Sequence, residues 1–486
     1  MLLPLRSSVA SLVRNYSSVA KQVSVCIVGS GPAGFYTANQ VRSMLLLDRL
    51  PTPFGLVRTG VAPDHEDTKN VTNQFTRIAQ DPRVNFFGNV NVGRDVTVDE
   101  IRKLYNAVVL AYGAESDRKL NIPGEVKQSW CHAAREFVWW YNGHPDQRDL
   151  PVDLSRVESV AVCGIGNVAL DCARILLRPV SELATTDVAR HALKQLQHSK
   201  VRQVQLCARR GPVQAACTAK ELKELVNMPS IAVHAQPSQL VVSAADQAQM
   251  KAVRLKRRIF ELISKAAMTE KPGASRQLDF QFYRNPAEII ADADSQVQAI
   301  RVEKTQLVSD PARGTVAVGT GEYEEYPVQL VLKSIGYKSL PLPGLPFDNK
   351  QGVVPNAAGR VLTDVGAAAD STVPGLYVCG WLKRGPTGII GTNLTDAEET
   401  VASMEKDYAA LSQAPAAGRA GLQQLLERRG VDVVDYAAWH RLNALEVSQG
   451  QQHGSARVKC ASWHELLLAA GVAMHDKQPL DNLDGV

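Results

Sequence analysis

The chain has 486 residues, enough for about three domains of ordinary size or two larger ones. Hydrophobic residues make up 45% and charged residues 21%, a balance that excludes a disordered, fibrous or coiled-coil chain. The net charge of +5 is small for this length and argues against a nucleic-acid-binding protein. No apolar run reaches the roughly 18 residues that a transmembrane helix needs.

In chain order, residues 1–22 come first and have the composition of a mitochondrial transit peptide. Arg6, Arg14 and Lys21 supply positive charge, serines alternate with apolar residues, and the first acid of the chain is Asp48. Amphipathic, basic, acid-poor segments of this kind direct import, whereas a secretory signal needs a longer apolar run. A frayed basic terminus is the alternative interpretation.

A glycine-rich fingerprint follows this leader. The apolar run VSVCIV predicts a short buried strand, and the sequence GSGPAG continues it directly into a helix. In such a turn Gly29 permits the tight bend, Gly31 admits a pyrophosphate, and Gly34 lets the helix pack closely on the strand. The strand–turn–helix context therefore predicts a dinucleotide site.

A second fingerprint, GIGNVA, follows the predicted strand ESVAVC and precedes an apolar helix. Gly164 and Gly166 take the first two glycine positions, and Ala169 replaces the third glycine, as in many NADP sites. Two such turns in one chain are hard to explain as ligand-free loops. The sequence therefore predicts two dinucleotides bound on two Rossmann-like α/β domains.

After the helix of each fingerprint comes a second strand, and the residues at the end of that strand predict which dinucleotide binds at each site. Asp48 has the spacing of a carboxylate that binds a ribose hydroxyl, and a turn aspartate beside Arg49 is the alternative. The second site has Arg209 and Arg210 at this point, and a guanidinium pair suits a 2′-phosphate. The second site should therefore prefer NADP. The long separation before it predicts an inserted helical excursion over 179–199.

The eight cysteines are spread along the chain, and none of them belongs to a C-x-x-C pair. Zinc sites and iron–sulfur clusters need closely spaced thiolates, so the sequence predicts neither a metal site nor a dithiol redox centre. Reduced and mostly buried thiols are the expected state.

With these residues in view, the chain resembles the adrenodoxin-type ferredoxin–NADP reductases, which belong to the glutathione-reductase-like flavoproteins. The resemblance extends over nearly the whole chain after the leader, and segments such as GWLKRGPTG are far more specific than a bare glycine pattern. The matching segments are GSGPAGFYTA, PFGLVRTGVAPDH, NVGRDVT, VVLAYGAE, WYNGHPD, GIGNVALD, RRGP, SIGYKS and GLYVCGWLKRGPTGIIGTNLTDA.

The resemblance implies a reaction, two cofactors and two sets of binding residues. NADPH would give a hydride to FAD, and the reduced flavin would pass electrons singly to a [2Fe–2S] ferredoxin that serves mitochondrial P450s or iron–sulfur cluster assembly. Beside the fingerprint glycines, the FAD contacts implied by motif are Ala33, Asp48, Leu56, Val92, Trp381, Gly388, Ile389 and Ile390. The implied NADP contacts are Gly164, Ile165, Gly166, Asn167, Arg209, Arg210, Glu221, Trp381 and Gly388.

Two positions depart from the family pattern. The stretch between Gly34 and Asp48 is shorter than the usual helix and strand, so either the helix is truncated or the segment reflects a deletion that alters the register of Asp48. Cys217 stands where an aromatic residue is usual, before the helix that carries Glu221. The first departure bears on FAD affinity and the second on packing beside the NADP site.

Three residues are the candidates for direct participation in the reaction. Asp64 and His65 form the titratable pair nearest the predicted flavin loop, where they could orient the flavin through water. A hydrogen bond that only stabilises the turn is the alternative. Trp381 is predicted as an aromatic wall or lid at the junction of flavin and nicotinamide, with plain core packing as the alternative.

The sequence MKAVRLKRRIFELISKA predicts a basic helix on the surface. Ferredoxins of this type are acidic, so a basic face would speed their encounter with the reductase. The predicted docking residues are Lys251, Arg254, Lys256, Arg257 and Arg258. A solvated charged face is the alternative, and peripheral association with the inner membrane also stays open.

These observations predict an NADP domain inserted in a discontinuous FAD domain. After the leader, residues 23–126 and 340–486 should form the FAD-binding part and residues 127–339 the NADP-binding part. The expected location is the mitochondrial matrix or the matrix face of the inner membrane.

The sequence is also compatible with other functions. One is an NADPH-dependent flavin monooxygenase, and a disulfide reductase is disfavoured because C-x-x-C is missing. Another is a non-catalytic flavoprotein, which applies if the short segment before Asp48 impairs FAD binding.

Overall fold

The computed structural model describes residues 23–41, 43–125, 130–310, 314–413 and 416–472, so the predicted transit peptide lies outside the described residues. The chain divides into two compact units, each assembled from separate stretches. Unit 1 comprises residues 1–50, 76–113 and 341–433, and unit 2 comprises residues 51–75, 114–340 and 434–486. Within the described ranges, none of the helices combines the length and hydrophobicity that crossing a bilayer requires.

The strands of both units are short and mostly apolar. In chain order they are β1 (Val25–Val28), β2 (Met44–Leu47), β3 (Val84–Gly88), β4 (Ala107–Leu110), β5 (Ser116–Asp117), β6 (Cys131–Ala133), β7 (Ser159–Cys163), β8 (Gln203–Ala208), β9 (Ile231–Ala235), β10 (Arg276–Phe282), β11 (Arg284–Ala291), β12 (Val297–Asp310), β13 (Gly314–Pro327), β14 (Leu330–Lys333), β15 (Tyr337–Lys338), β16 (Asn356–Ala357), β17 (Arg360–Leu362), β18 (Thr372–Val378) and β19 (Val434–Asp435).

The α-helices lie between these strands and at the end of the described chain. They are α1 (Pro32–Ala38), α2 (Leu56–Thr59), α3 (Glu66–Lys69), α4 (Val71–Ala79), α5 (Val98–Leu104), α6 (Ala134–Asn142), α7 (Asn167–Leu177), α8 (Val180–Leu183), α9 (Arg190–Gln197), α10 (Ala219–Val226), α11 (Ala244–Ala252), α12 (Arg254–Ala267), α13 (Trp381–Arg384), α14 (Thr392–Lys406), α15 (Tyr408–Leu411), α16 (Gly418–Arg428), α17 (Tyr436–Gln452) and α18 (Trp463–Ala470). The expected excursion before β8 is helical, as α8 and α9.

Unit 1 is built on a mainly parallel sheet. Its strands β18, β4, β1, β2 and β3 lie side by side and all run parallel, while β16 and β17 continue the sheet antiparallel beyond β18. All residues of β1, β2 and β4 are buried, as expected for a parallel sheet that is covered on both faces. This order places the end of β1 at the centre of the sheet, and the first fingerprint follows it.

Unit 2 contains a second parallel sheet and two smaller antiparallel ones. The strand order of the parallel sheet is β6-β14-β7-β8-β10-β9. The strands β11, β12 and β13 form an antiparallel sheet of their own, and β5 pairs with β15. The predicted fold class, α/β with two Rossmann-like sheets, is confirmed.

The units divide the chain differently from the predicted boundaries, which assigned residues 51–75 and 434–486 to the FAD-binding part. In the structure both stretches belong to unit 2. The guanidinium of Arg58 donates to both carboxylate oxygens of Glu446 at 2.9 and 2.6 Å, and Arg457 adds a further bond of 2.9 Å. Arg58 and Glu446 are both buried, so each charge is shielded from water and is balanced by the other. Their ion pair therefore holds residues 51–75 and residues 434–486 together.

Candidate dinucleotide-binding sites

The first fingerprint forms the expected tight turn between β1 and α1. Gly29 has a φ of +108°, and a Cβ on Gly34 would lie 2.0 Å from the carbonyl oxygen of Gly29. By contrast, a Cβ on Gly31 would have no heavy atom within 4 Å. Gly29 and Gly34 are therefore required by the turn itself, whereas Gly31 leaves open space beside the backbone, as the approach of a pyrophosphate demands. The turn fits a dinucleotide.

The short segment before Asp48 is absorbed by the helix. Helix α1 has only seven residues, and β2 still pairs in register with β1 and β3. Asp48 follows β2, and its Oδ2 accepts hydrogen bonds of 2.9 Å from the backbone N–H of Ser30 and 2.5 Å from the Ser30 hydroxyl. Its Oδ1 accepts from the Leu50 N–H at 2.9 Å, as in the turn interpretation. The carboxylate thus lies against the fingerprint turn, where a ribose contact requires it.

The GWLKRGPTGII segment contacts the first fingerprint helix. Gly380 has a φ of +70°, and a Cβ there would lie 2.5 Å from the Cβ of Ala33. Trp381 follows as the first residue of α13. Gly388 also has a positive φ, of +84°, and Ile389 after it is 67% exposed. The order of unit 1 thus brings residues from distant parts of the sequence to the turn that begins at Gly29.

The remaining predicted FAD residues lie in different places. Val92 is buried in unit 1, where it forms a bridge with Val96. Ile390 is half-buried, two residues before α14. Leu56 is the first residue of α2 and belongs to unit 2. The contacts of these residues with FAD stay predictions.

The second fingerprint repeats the geometry of the first in unit 2. Gly164 has a φ of +129°, and a Cβ on it would lie 2.1 Å from the carbonyl oxygen of Ser334, whereas a Cβ on Gly166 would meet nothing within 4 Å. Helix α7 begins at Asn167, whose side-chain oxygen accepts from the Thr218 N–H at 2.8 Å. This turn is therefore also open beside its second glycine.

The arginine pair lies directly after β8, as the sequence predicts. Arg209 and Arg210 are both exposed, and their carbonyl oxygens accept bonds from the Thr305 hydroxyl at 2.7 Å and the Tyr283 N–H at 3.3 Å. Neither guanidinium forms an ion pair with any residue in the described ranges. Their backbone is therefore fixed while their charge remains available to an anion such as a phosphate.

Asp64 and His65 are adjacent in the sequence but contact different partners. Arg174 of α7 is fully buried and donates to both oxygens of Asp64 at 2.7 and 2.9 Å. Burial opposes the charged form of Asp64, but the bonds and charge of Arg174 outweigh it, so the pKa of Asp64 is lowered. The sequence did not predict the role of Arg174, although Asp171 and Arg174 lie about one turn apart on a mostly apolar helix and Arg178 directly follows its end.

His65 faces the carboxylates of α10. Its Nε2 lies 2.9 Å from an oxygen of Glu224 and 3.3 Å from one of Glu221. Burial lowers the pKa of His65, but the bond to Glu224 and the negative charges of Asp171 and Glu221 together outweigh it, so the pKa is raised. His65 and Glu224 also line a cavity of about 300 Å³, together with Asp64 and Lys220.

Histidine and two glutamates are residue types that can bind a metal ion, and their ligand atoms lie within 4.8 Å of one another. However, Arg174 lies 3.8 Å from Glu221 and 3.6 Å from Glu224, and Arg178 lies 2.8 Å from Glu224. Since guanidinium groups already balance these carboxylates, the arrangement does not favour a cation.

The cysteines are mostly buried in the structure. All eight are free, and Cys217 packs in the hydrophobic core of unit 2, where burial raises the pKa of its thiol to about 11. A small side chain thus fills the place where the family pattern has an aromatic residue.

Two parallel-sheet units, each with a glycine-rich turn that is open to a dinucleotide, define a class of protein: an oxidoreductase that uses two dinucleotides. Residues 23–213 match the family described as pyridine nucleotide-disulphide oxidoreductase. The chain is 50% identical to the mitochondrial NADPH:adrenodoxin oxidoreductase of Arabidopsis thaliana, over 93% of this chain and 96% of that one. It is 44% identical to the protein of the same name from Homo sapiens, over 96% of both chains.

A solved structure agrees with these relatives. The structure of Mycobacterium tuberculosis FprA in complex with NADPH has 39% sequence identity and a TM-score of 0.86, and it covers 92% of this chain and 99% of its own. The chain belongs to the NADPH:adrenodoxin oxidoreductase family.

Proposed function

We propose that this chain is an FAD-dependent NADPH:ferredoxin oxidoreductase of mitochondria, with FAD and NADP as its cofactors. The observation that carries this function is similarity over 96% of the length of NADPH:adrenodoxin oxidoreductases, in a chain that keeps both dinucleotide turns open at their second glycine. Bound FAD would supply the chemistry that converts the two-electron hydride donor NADPH into single-electron delivery to a [2Fe–2S] ferredoxin.

In unit 1, the chain's own residues would bind and orient FAD. Gly31 leaves room for the pyrophosphate, and the Asp48 carboxylate, fixed by Ser30, would accept a hydrogen bond from a ribose hydroxyl. Trp381 would cover the reacting end of the cofactor, next to the backbone that follows Gly388. Support for this comes from the contact of Gly380 with Ala33, which sets Trp381 beside the fingerprint helix.

In unit 2, Arg209 and Arg210 would select NADP through its 2′-phosphate, because they are exposed and form no ion pair with the described residues. Gly164, Ile165, Gly166 and Asn167 would carry the pyrophosphate. Glu221 would contact the nucleotide, His65 lies beside it, and Arg174 would fix Asp64 next to His65. These roles are supported by the open turn and by the convergence of the charged groups.

The acceptor would dock on the surface where α11 ends and α12 begins, residues 251–258, which we call the elbow. The residues between Lys251 and Arg258 include no acid, and Arg254, Arg257 and Arg258 are exposed. Lys256 is half-buried, with its ammonium 2.6 Å from the side-chain oxygen of Gln249. The predicted single helix is in fact two helices that meet at Val253.

The location of the protein is a mitochondrion, as the names of its relatives indicate, and the leader composition supports delivery to the matrix. An acidic ferredoxin in the matrix would meet the elbow directly. Peripheral association with the matrix face of the inner membrane is the alternative, in which the elbow would face anionic lipids instead of a ferredoxin.

The direct test is a stopped-flow experiment on the purified protein with its flavin. Addition of NADPH should bleach the flavin absorbance, and a [2Fe–2S] ferredoxin should then be reduced one electron at a time. A folded protein that stays colourless with excess FAD would contradict the proposal. Rapid oxygen consumption with a hydroxylated product would indicate a flavin monooxygenase instead.

Docking has its own test. Exchange of Arg254 and Arg258 for Glu should slow ferredoxin reduction at least about tenfold, since charge reversal removes electrostatic steering. Reduction of ferricyanide, which needs no docking surface of this kind, should change little. Equal loss with both acceptors would contradict docking at the elbow.

A further inference from the structure

The elbow exposes two aliphatic side chains among its cations. Val253 is 44% exposed and Leu255 is 50% exposed. Val253 has an extended backbone, with φ −128° and ψ 101°, so it ends α11 and turns the next residues outward. The residues from Lys251 to Leu255 are consecutively exposed. A charged face that is merely solvated has no need of two exposed branched aliphatic residues among its cations.

The elbow is held firmly in unit 2. The side chain of Gln214 donates to Asp246 of α11 at 2.7 Å, and this bond is buried. Ser243 caps the same helix, accepting from the Asp246 N–H at 3.1 Å. On the other side, the Lys256 ammonium of α12 donates to Gln249 of α11 at 2.6 Å. A surface fixed in advance loses little conformational entropy on binding.

The charges of the elbow are only weakly compensated. Arg257 and Arg258 lie 3.7 and 3.8 Å from Glu261, distances at which exposed pairs contribute little. Arg254 forms no ion pair with the part of the chain that the structure describes. In protein interfaces, an apolar centre that becomes fully desolvated gives most of the affinity, and a charged rim gives steering and specificity. Val253 and Leu255 have the position of such a centre.

We propose that Leu255, with Val253 beside it, is the apolar anchor of the ferredoxin-docking surface. The partner is an acidic [2Fe–2S] ferredoxin that carries an exposed apolar side chain surrounded by carboxylates. This inference rests on the proposed function and adds to it the residue that sets the lifetime of the complex. The arginines control the rate of encounter, whereas Leu255 controls dissociation because its contact is made only after the two surfaces meet.

A membrane with anionic lipids is the other surface that would attract cations and aliphatic residues. Interfacial helices, however, insert a whole apolar face. The apolar face of α12 is turned inward, since Ile259 and Ile263 are buried in the core of unit 2. Only the two aliphatic residues of the elbow would remain for insertion. The structure therefore favours the protein partner.

The test compares Leu255→Ser with the matched control Met268→Ser, which removes a 77% exposed apolar side chain just after the last residue of α12. Leu255→Ser should raise the KM for ferredoxin about tenfold, or about 1.4 kcal/mol. The rate with ferricyanide and the slope of the rate against salt concentration should stay as in the wild type. Met268→Ser should leave the KM for ferredoxin unchanged.

Two additional measurements keep the result decisive. Leu255→Met preserves apolar area and should retain the wild-type KM, so a KM as high as that of Leu255→Ser would overturn the anchor. Co-sedimentation of the wild type with phosphatidylcholine–cardiolipin vesicles that Leu255→Ser abolishes would assign the elbow to a membrane and also overturn it. An unchanged KM in Leu255→Ser overturns the anchor alone, whereas a wild-type flavin that NADPH fails to bleach overturns the proposed function.

Discussion

The two glycine-rich turns have the same motif, but they differ in whether the third glycine position tolerates a side chain. In unit 1 the third glycine cannot be replaced without collision, because a Cβ on Gly34 would lie 2.0 Å from the Gly29 carbonyl oxygen. In unit 2 Ala169 occupies that position and is fully buried. Helix α1 has seven residues and α7 has eleven. The same motif is thus built around a closer helix–turn contact in one unit than in the other.

The two units also differ in the charges that follow their second strands. The Asp48 carboxylate is bonded to the turn itself, through Ser30. Arg209 and Arg210 are exposed and unpaired among the described residues, so their charge is available to a ligand. In addition, all ten histidines of the sequence lie within the ranges of unit 2. The affinity of the first site should therefore depend mainly on the geometry of the turn. The affinity of the second site should depend mainly on the attraction between its arginines and a negatively charged ligand.

The largest expected effect is that of Gly34→Ala. The added methyl group collides with backbone, and relief of an overlap of this kind costs up to about 3 kcal/mol. FAD affinity should fall about a hundredfold, as measured by the flavin retained per protein after dialysis. The matched change in the other unit, Ala169→Gly, should leave both cofactors bound and lower stability by only about 1 kcal/mol. Similar flavin retention in the two variants would remove the contrast.

Exchange of both Arg209 and Arg210 for Gln should affect only the phosphorylated cofactor. Charge-assisted bonds contribute about 1.5–3 kcal/mol, so kcat/KM for NADPH should fall about a hundredfold. The value for NADH should change less than about threefold, since NADH lacks the 2′-phosphate. Arg190→Gln, a change at another exposed arginine of unit 2, is the control. Equal losses with both nucleotides would contradict a 2′-phosphate site.

A smaller effect is expected for Asp48→Asn. The amide oxygen can still accept both bonds from Ser30, so only the bond from Leu50 is lost and the turn should persist, while the charged acceptor for a ribose hydroxyl is removed. The Kd for FAD should rise about tenfold, or about 1.4 kcal/mol. Titration of the apoprotein with FAD measures it. If only the melting temperature changed and the Kd did not, Asp48 would be a turn residue and nothing more.

Local patterns were sufficient to predict the two fingerprints, because each depends on contacts between residues near in sequence. The glycines, the strands before them and the residues that follow β2 and β8 all lie where the sequence predicts them. Even the short segment before Asp48 is accommodated locally, because α1 is truncated. These features are determined by sterics within one βα unit.

The features that the sequence could not predict depend on distant partners. Arg58 and Glu446 are 388 positions apart, and their buried pairing is what joins two remote segments in unit 2. Similarly, Asp64 and His65 are adjacent, but Arg174 binds one and Glu224 the other. A helical spacing of charges indicates that a polar stripe exists. It does not indicate which distant segment covers that stripe.

The smallest expected effect concerns pH and belongs to unit 2 alone. The pKa of His65 is raised in the folded protein, so its protonated form stabilises the fold fully below a pH of about 6.5, and this contribution is lost as the pH rises through the raised pKa. The buried ammonium of Lys459 has the opposite effect: burial lowers its pKa to about 7, so stability rises with pH above that value.

The comparison of wild type with His65→Gln isolates the contribution of His65. Between pH 6 and 8 the free energy of unfolding of the wild type should fall relative to that of the variant, by up to about 1.4 kcal/mol for each unit by which the pKa of His65 is raised. Thermal melting at several pH values measures this difference. The same pH change should leave the Kd for FAD almost constant, because none of the predicted FAD-binding residues is a histidine. A pH dependence of equal size in the wild type and the variant would mean that His65 does not titrate as its contacts with Glu221 and Glu224 require.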